Sequence, residues 1–532
     1  MPSDYPPLPT SKGGQEGGNL ENESTISVPR ALPTRQRLRA KDAILVSEST
    51  PTAPSVISPN GDIILQYATT SPETKHYWQV SSEQLMAGSP YFGAMLDSEK
   101  FMEGRLLAQQ RQALIDGAPH SSSSNSGVSS LAKLPIVEIP CSTKLELCGV
   151  EAIQLFLKIL CLDSSDTEAQ HIFYDGLTAQ SSSIIAKLID ISEWFNSTSP
   201  VYKALQTAQY RGGGKSKSTG VSTKVFTFDM LKLKERRIRE MIFISASLGL
   251  NDILKAMTHA LILVGSRYWQ QGPERPSSDG YLSWKYLPNG LEEEIYHRRQ
   301  CVMNTLTDLQ AHFLRAYGGL ERDGPSPKPS TAGVAFSSSF RNPELQCRNG
   351  LDNGAQCDIF HLGQMTRFFA LRTKTIFLGS TLVDPNFNIE DSDEELYEQY
   401  NGSKEDGDLE EPQFAINQVI AGLKQYPDYQ IDTNHVGCGI RRRILPILDG
   451  IEKFTADSRG LLGIQASLWE SPETRMVSAW SGKGGPKDHT IEIRFAKITK
   501  IDIPSYGPLK HFISPEDQAR FMFTAAKYKW EA

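Results

Sequence analysis

Two strand patterns, followed directly by two helix starts, constrain the fold of this 532-residue chain more than any other feature. The β-branched run in Gly61–Tyr67 predicts a strand, and the aromatic-plus-valine run His76–Val80 predicts its partner. The segment Ser81–Gln84 has the spacing of a capping box, and Ser89 followed by Pro90 is a second N-cap with proline at the first helical position. Two strands and two short helices in direct succession predict a domain of the α+β class.

The elements that follow extend this pattern along the chain. Leu134–Pro140 predicts a third short strand, and the apolar residues of Gly149–Leu162 and Ser183–Phe195 recur at helical spacing. A long amphipathic helix is predicted in Glu235–Gly249, where the final glycine is a helix stop. Three short strands among many amphipathic helices again indicate an α+β fold.

The order of these elements resembles a BTB/POZ domain. The residues that carry the resemblance are the GDIIL strand, the later leucine-rich helix, and the motif Ser89-Pro90-Tyr91-Phe92 with Met95. The resemblance covers roughly residues 59–265 and is interrupted by a serine-rich insertion at 117–130, where family members usually turn more tightly. It implies the BTB/POZ fold, which is a helical cluster with a small three-stranded sheet.

The later part of the chain resembles the long fungal members of this family. Two segments carry that resemblance, CRNGLDNGAQCDIFHLG and DTNHVGCGIRRRILPILDGI. Residues 285–380 and 412–530 predict a second α+β region, and an acidic linker is predicted at 389–411. Residues 1–58 are rich in proline, serine, threonine and glycine, which predicts a disordered N-terminal tail.

The resemblance implies a protein–protein interaction module. BTB/POZ domains commonly self-associate, and some present substrates to cullin-based ubiquitin ligases. The expected function is a non-enzymatic scaffold that forms a homodimer, with the C-terminal region providing partner specificity or structural support. A substrate adaptor that binds a cullin scaffold is the alternative, although the sequence lacks a convincing hydrophobic-x-Glu element of the cullin-binding members. A transcriptional regulator is a third reading, disfavoured because no zinc-finger array or basic DNA-reading helix is present.

One set of side chains in the second half has metal-binding chemistry. Cys347 and Cys357 form one spaced pair, and His435 and Cys438 form a second pair whose cysteine is flanked by glycines. Two such pairs provide the four soft-to-borderline ligands that a tetrahedral Zn²⁺ requires. The spacing leaves alternatives open, because His361 is able to replace one member and cysteine is often buried as a small apolar side chain. A site with four protein ligands would be closed and structural.

No enzyme is predicted, and no catalytic or cofactor-binding residue is assigned. A thiolate–imidazolium pair of Cys438 with His435 is the one nucleophile arrangement to consider, and no orienting acid or oxyanion motif accompanies it. The sequence also lacks a P-loop, a GxSxG motif, an HExxH motif and a dinucleotide-binding fingerprint.

Charge and cysteine content limit the partners and the compartment. The net charge of −7 and the pI near 5.9 give no indication of nucleic-acid or anionic-membrane binding. The basic runs Lys232–Glu240 and Arg441–Arg443 are predicted to be solvated helix faces. Seven sparse cysteines do not indicate a disulfide framework, and no secretory signal or membrane-spanning run is recognised. The expected location is therefore intracellular, in the cytoplasm or nucleus.

Overall fold

The structure is a computed structural model, and it describes only part of the chain. The described residues are 54–69, 74–116, 134–162, 167–211, 224–269, 281–320, 345–347, 354–373, 375, 415–465, 490–493, 514–525 and 527–530. The serine-rich insertion, the acidic linker and the first 53 residues of the predicted tail lie outside the described residues.

The first part of the fold contains a small mixed sheet. Its strands are β1 (Ser55–Val56), β2 (Ile63–Ala68), β3 (Lys75–Val80) and β4 (Ile136–Glu138). The strand order is β1-β3-β2-β4, with β2 antiparallel to β3 and the other two pairings parallel. Leu65 faces Trp78 across the central pair, and both side chains are buried. The sheet therefore presents one of its faces to the core of the protein.

The fourth strand corrects two predictions. Three strands were expected, and β1 lies within the predicted disordered tail 1–58. This strand is only two residues long, and both of its side chains are exposed. Its stability comes from pairing with β3, more than twenty positions later in the chain. A two-residue strand has no alternation of apolar and polar positions, so periodicity could not predict it.

The described residues up to 269 also contain ten α-helices. They are α1 (Ser82–Gly88), α2 (Pro90–Met95), α3 (Met102–Asp116), α4 (Thr143–Cys148), α5 (Val150–Leu160), α6 (Thr167–Thr178), α7 (Ser182–Trp194), α8 (Thr198–Thr207), α9 (Glu235–Leu248) and α10 (Asn251–Val264). The fold is thus mixed α+β and mostly helical.

The predicted helix starts and the predicted stop are confirmed. Ser81 Oγ accepts the backbone N–H of Gln84 at 3.4 Å, and Ser89 Oγ accepts that of Phe92 at 3.3 Å. Helix α9 ends at Gly249, whose φ of 67° is the left-handed conformation that glycine adopts without strain. These signals act within one helical turn, which is why the sequence alone predicted them.

The second part of the fold is mainly helical as well. Its regular elements are α11 (Leu291–Ala316), α12 (Gly354–Arg367), α13 (Ile416–Lys424), α14 (Arg441–Thr455), α15 (Pro515–Thr524), β5 (Thr490–Ile493) and β6 (Lys527–Trp530), together with a short π-helical turn at Phe368–Arg372. Strands β5 and β6 pair in parallel.

The later part of the chain packs directly on α10. Nε2 of His259 on α10 lies 3.0 Å from the carbonyl oxygen of Thr455. Nδ1 of the same ring accepts a hydrogen bond from the backbone N–H of Leu462 at 3.1 Å. A Cβ atom on Gly463 would lie 2.0 Å from the carbonyl oxygen of Lys255, so only glycine allows this approach. The described residues from 54 onward accordingly form one compact unit, in which both predicted regions share a core.

One basic run differs from its prediction. Arg239 was expected on a solvated helix face, and its side chain is completely buried. Its guanidinium forms ion pairs at 2.7 Å with Glu235 on the same helix and with Glu292 on α11. Glu240 is buried too. The sequence pattern did not reveal this because Glu292 lies 53 positions away in the chain.

Candidate functional site

Three cysteines from separate segments meet in the second part of the fold. Cys347 belongs to residues 345–347, Cys357 to α12, and Cys438 precedes α14. Their sulfur atoms all lie within 4.8 Å of one another. We call these three residues the thiol cluster. The structure therefore brings together the three cysteines of the predicted metal set.

Side-chain hydrogen bonds hold the segment of Cys347 in place. The backbone N–H of Gln346 donates to the Asp358 carboxylate at 2.7 Å, which ties the segment to α12. Arg443 on α14 donates to the side-chain oxygen of Gln346 at 3.0 Å. The guanidinium of Arg443 also lies 5.2 Å from the ring centre of Phe313 on α11. Three helices therefore contribute to positioning this short segment.

Cys438 lies in the glycine-flanked turn that the sequence indicated. Gly437 has a φ of 77°, and the Cys438 N–H donates to the carbonyl of His435 at 3.3 Å. The hydroxyl of Tyr317, just after α11, donates to the Cys438 carbonyl at 2.7 Å. A Cβ atom on Gly439 would lie 3.1 Å from Cε1 of His361, so small residues allow that imidazole to approach the turn.

Two buried histidines accompany the thiol cluster. Both His435 and His361 have fully buried side chains. Nδ1 of His435 donates to the Asp432 carboxylate at 2.9 Å, whereas Nε2 has no hydrogen-bond partner among the described residues. Neither ring nitrogen of His361 has one within that same part of the chain. The 4.8 Å group contains the three thiols and neither imidazole, so the structure does not bring His435, the fourth member of the predicted metal set, into that group.

The site also contains residues that the sequence analysis did not identify. Asp432 orients His435, Asp358 holds the Cys347 segment, and Tyr317 holds the Cys438 turn. The spacing of Asp432 three residues before His435 was a local signal for the first of these. No local signal existed for Tyr317, which is 121 positions from Cys438.

The protonation of the site follows from its burial. Burial and the neighbouring thiols of Cys347 and Cys438 raise the pKa of Cys357 to about 12. Burial also lowers the pKa of His361, an effect that His435 reinforces and Asp358 opposes. Cys357 is therefore a neutral thiol at pH 7 when no cation is bound, and a neutral thiol is a weak nucleophile.

A different surface feature lies in the first part of the fold, on α3. This helix buries only Gly104 and Leu107. Large apolar side chains of the helix and of the residue before it are exposed, namely Phe101, Met102, Leu106, Leu114 and Ile115. Met102 and Leu106, four positions apart, lie on one face of the helix, with Phe101 directly before it, whereas Leu114 and Ile115 lie at the far end of the helix. We call Phe101, Met102 and Leu106 the α3 apolar surface.

Polar contacts fasten α3 to the sheet. Gln110 accepts the N–H of Ile136 on the edge strand β4 at 2.9 Å. Arg111 forms an ion pair with Asp62 and donates to the hydroxyl of Ser82 at 3.0 Å. Because these contacts orient the helix, the α3 apolar surface is presented on a fixed element of the fold.

Comparison with known proteins does not assign the chain to a family. The chain matches no family model, no curated protein and no solved structure. The resemblance to BTB/POZ proteins therefore stays a prediction. Within the described part of the chain, no helix combines the length and apolar character needed to cross a membrane.

Proposed function

We infer that this protein is a non-enzymatic interaction scaffold that self-associates through its BTB/POZ-like region. The observation that carries the inference is the α3 apolar surface. Met102 is 70% exposed and Leu106, one turn further along the same face, is 47% exposed, although side chains of this kind are normally buried. Clustered exposed apolar side chains on a soluble fold mark sites of association.

The charge of α3 favours a second copy as the partner. The helix carries two acidic residues, Glu103 and Asp116, and two basic residues, Arg105 and Arg111, so its formal net charge is zero. The whole chain has a net charge of −7. Two copies that meet at α3 would therefore bring together neutral surfaces and keep the excess negative charge elsewhere.

Contact between two α3 helices would also match the usual geometry of homodimers. A two-fold interface uses the same surface of both subunits, so one exposed helix is sufficient to form it. The edge strand β4 lies beside α3 and exposes Ile136, which extends the apolar area toward the sheet. The element order from β2 to α5 supports the BTB/POZ-like interpretation of this region.

The test is the mass of the full chain in solution, because the core is shared by both regions and a fragment would expose buried surface. We expect light scattering to give twice the 59.0 kDa chain mass for the wild type. Met102→Glu with Leu106→Glu is expected to give a monomer, since two charges cannot be buried unpaired at the interface. Both side chains are exposed, so the melting temperature should change little.

Ile172→Glu on α6 is the matched control, because Ile172 is similarly exposed at 66% and lies on another helix. This variant should keep the wild-type mass. A wild type that is monomeric at every concentration would exclude self-association. A double variant that stays dimeric would exclude α3 as the interface.

A further inference from the structure

The thiol cluster requires an explanation beyond packing. Its three sulfur atoms lie within 4.8 Å of one another, and two of the residues, Cys357 and Cys438, are buried. A disulfide would use only two of the three thiols. Three thiolates of a tetrahedral zinc site lie about 3.8 Å apart, because each Zn–S bond is about 2.3 Å long. The observed grouping is close to that arrangement.

His435 provides a second and independent observation. Its side chain is completely buried, and Nε2 has no hydrogen-bond partner among the described residues. Leaving such a buried polar atom unsatisfied destabilises the folded state. Its other ring nitrogen donates to Asp432 at 2.9 Å. Histidines that bind a metal through one nitrogen typically donate from the other nitrogen to a carboxylate.

We propose that the thiol cluster binds a structural Zn²⁺ ion as three thiolates and that Nε2 of His435 is the fourth ligand. Each thiol releases its proton to solvent when its sulfur binds the metal. His435 binds as the neutral imidazole, with its remaining proton on Nδ1 toward Asp432. Four protein ligands close the coordination sphere, so the ion is structural and carries no exchangeable substrate position.

His435 is preferred to His361 as the fourth ligand. The Asp432 carboxylate fixes both the tautomer and the ring orientation of His435, whereas neither ring nitrogen of His361 has a partner in the described structure. His435 also belongs to the same turn as Cys438, since the Cys438 N–H bonds to its carbonyl. Nε2 lies outside the 4.8 Å group of sulfur atoms, so metal binding requires this turn to bring Nε2 toward the thiols.

The surroundings suit the charge of the site. Three thiolates and one Zn²⁺ carry a net charge of −1. The guanidinium of Arg442 lies against the turn, at 3.0 Å from the position of a Cβ on Gly437. Arg443 binds the residue that precedes Cys347. Two cationic side chains therefore lie beside the segments that supply the thiolates, where they offset the negative charge of the site and of the nearby Asp358 and Asp432 carboxylates.

The bound ion would join three segments that are distant in the sequence. It links residues 345–347 and α12 to the start of α14, which lies beyond the intervening residues 376–414. A cross-link between positions so far apart in the sequence stabilises the fold mainly by restricting the unfolded chain.

The first experiment measures metal in the full chain. Fresh protein is purified under reducing conditions without chelator, supplied with Zn²⁺, freed of excess metal and analysed for zinc. We expect one zinc per chain in the wild type and none in the double variant Cys357→Ser/Cys438→Ser. Cys301→Ser is the control that keeps its zinc, because Cys301 lies outside the thiol cluster. Less than a tenth of an equivalent in reduced wild-type protein would overturn the proposal.

The second experiment identifies the fourth ligand by a competition titration with a zinc-binding dye. His435→Ala should weaken zinc binding by about 100-fold, and His361→Ala should change it by less than about threefold. His435→Cys should restore binding, because a thiolate is also a zinc ligand, and a Co²⁺-loaded sample should show added thiolate-to-cobalt absorption. The reverse ranking of the two alanine variants, or no effect of either, would overturn the assignment of His435.

Discussion

Two buried histidine environments in this molecule differ in how their ring nitrogens are satisfied. His259 on α10 has a backbone partner for each nitrogen, the carbonyl of Thr455 and the N–H of Leu462. His435 has a partner for Nδ1 and none for Nε2 among the described residues. Both side chains are fully buried. Burial is therefore equal in the two cases, and only the hydrogen bonding differs.

The comparison separates a structural histidine from a candidate ligand. A buried polar atom is normally paired, and an exception calls for an ordered water or an ion. Backbone groups provide a hydrogen-bond partner for each ring nitrogen of His259, and the side chain thereby joins two parts of the fold. His435 lies in the same turn as Cys438 of the thiol cluster, so a cation bound by the thiolates would provide a partner for Nε2.

The largest expected effect is that of metal removal. Chelation of zinc should lower the free energy of unfolding by about 4 kcal/mol, relative to a free zinc concentration 1,000 times the dissociation constant. Thermal unfolding with and without a strong chelator measures this. The Cys301→Ser variant should lose the same amount. If chelation leaves the unfolding curve unchanged, zinc is not the partner of Nε2 of His435, and the predicted difference between His435 and His259 is wrong.

The next effect is a pH dependence that belongs to His259. Its pKa is lowered from 6.5 to about 4, mainly by burial, while Thr455 and Asp457 raise it and Lys255 lowers it further. Between pH 4 and 6.5 the unfolded chain therefore binds more protons than the folded chain. The stabilisation is complete above pH 6.5 and is lost as the pH falls to 4, by about 3 kcal/mol in total.

Denaturant unfolding of the wild type and of His259→Gln across this pH range gives the measurement. The difference between the two profiles isolates His259, because acid release of zinc affects both proteins equally. We expect this difference to shrink as the pH falls. A constant difference would contradict the prediction that His259 is a neutral imidazole with a hydrogen bond at each ring nitrogen.

A smaller effect concerns the carboxylate that orients His435. Asp432→Asn keeps the size of the side chain and removes its charge, so the hydrogen bond to Nδ1 becomes weaker. Zinc affinity should fall by about 10- to 100-fold, which corresponds to about 1.4–2.7 kcal/mol. Asp457→Asn, next to the His259 site, should leave zinc affinity unchanged. Equal affinities for wild type and Asp432→Asn would remove Asp432 from the site.

The smallest effect separates the two histidines near the thiols. Gly439→Ala places a Cβ 3.1 Å from Cε1 of His361, so that ring must shift by a few tenths of an ångström. We expect a loss of about 1 kcal/mol in unfolding free energy and unchanged zinc affinity. A large fall in zinc affinity would instead indicate that His361 coordinates the metal.

The parts of the fold that the sequence predicted depend on neighbouring residues. The caps at Ser81 and Ser89 and the stop at Gly249 act within one turn, and the structure contains each of them. Strand β1 and the burial of Arg239 depend on partners more than twenty positions away. Such partners leave no periodic pattern in the segment itself, so local reasoning could not find them.

The residues of the candidate site also separate into those that sequence spacing indicated and those that only tertiary contacts reveal. The pair spacing and the flanking glycines indicated Cys347, Cys357 and Cys438 before any coordinates, and the structure groups their sulfur atoms. The choice between His435 and His361 depends on hydrogen bonds, which a sequence does not contain. Tyr317 and Arg443 belong to the site through tertiary contacts alone.

The contact between α10 and the segment around Leu462 has a consequence for synthesis of the chain. His259 bonds to a residue 203 positions later, and eleven of the residues in α10 are buried. At about 5–20 residues per second, a ribosome needs roughly 10–40 s to make the intervening polypeptide. During that interval the nascent α10 lacks the contacts with the segment around Leu462 and presents apolar side chains to solvent or to a chaperone. Premature termination in this stretch would therefore release an aggregation-prone intermediate, and ribosome pausing would prolong the exposure of its apolar side chains.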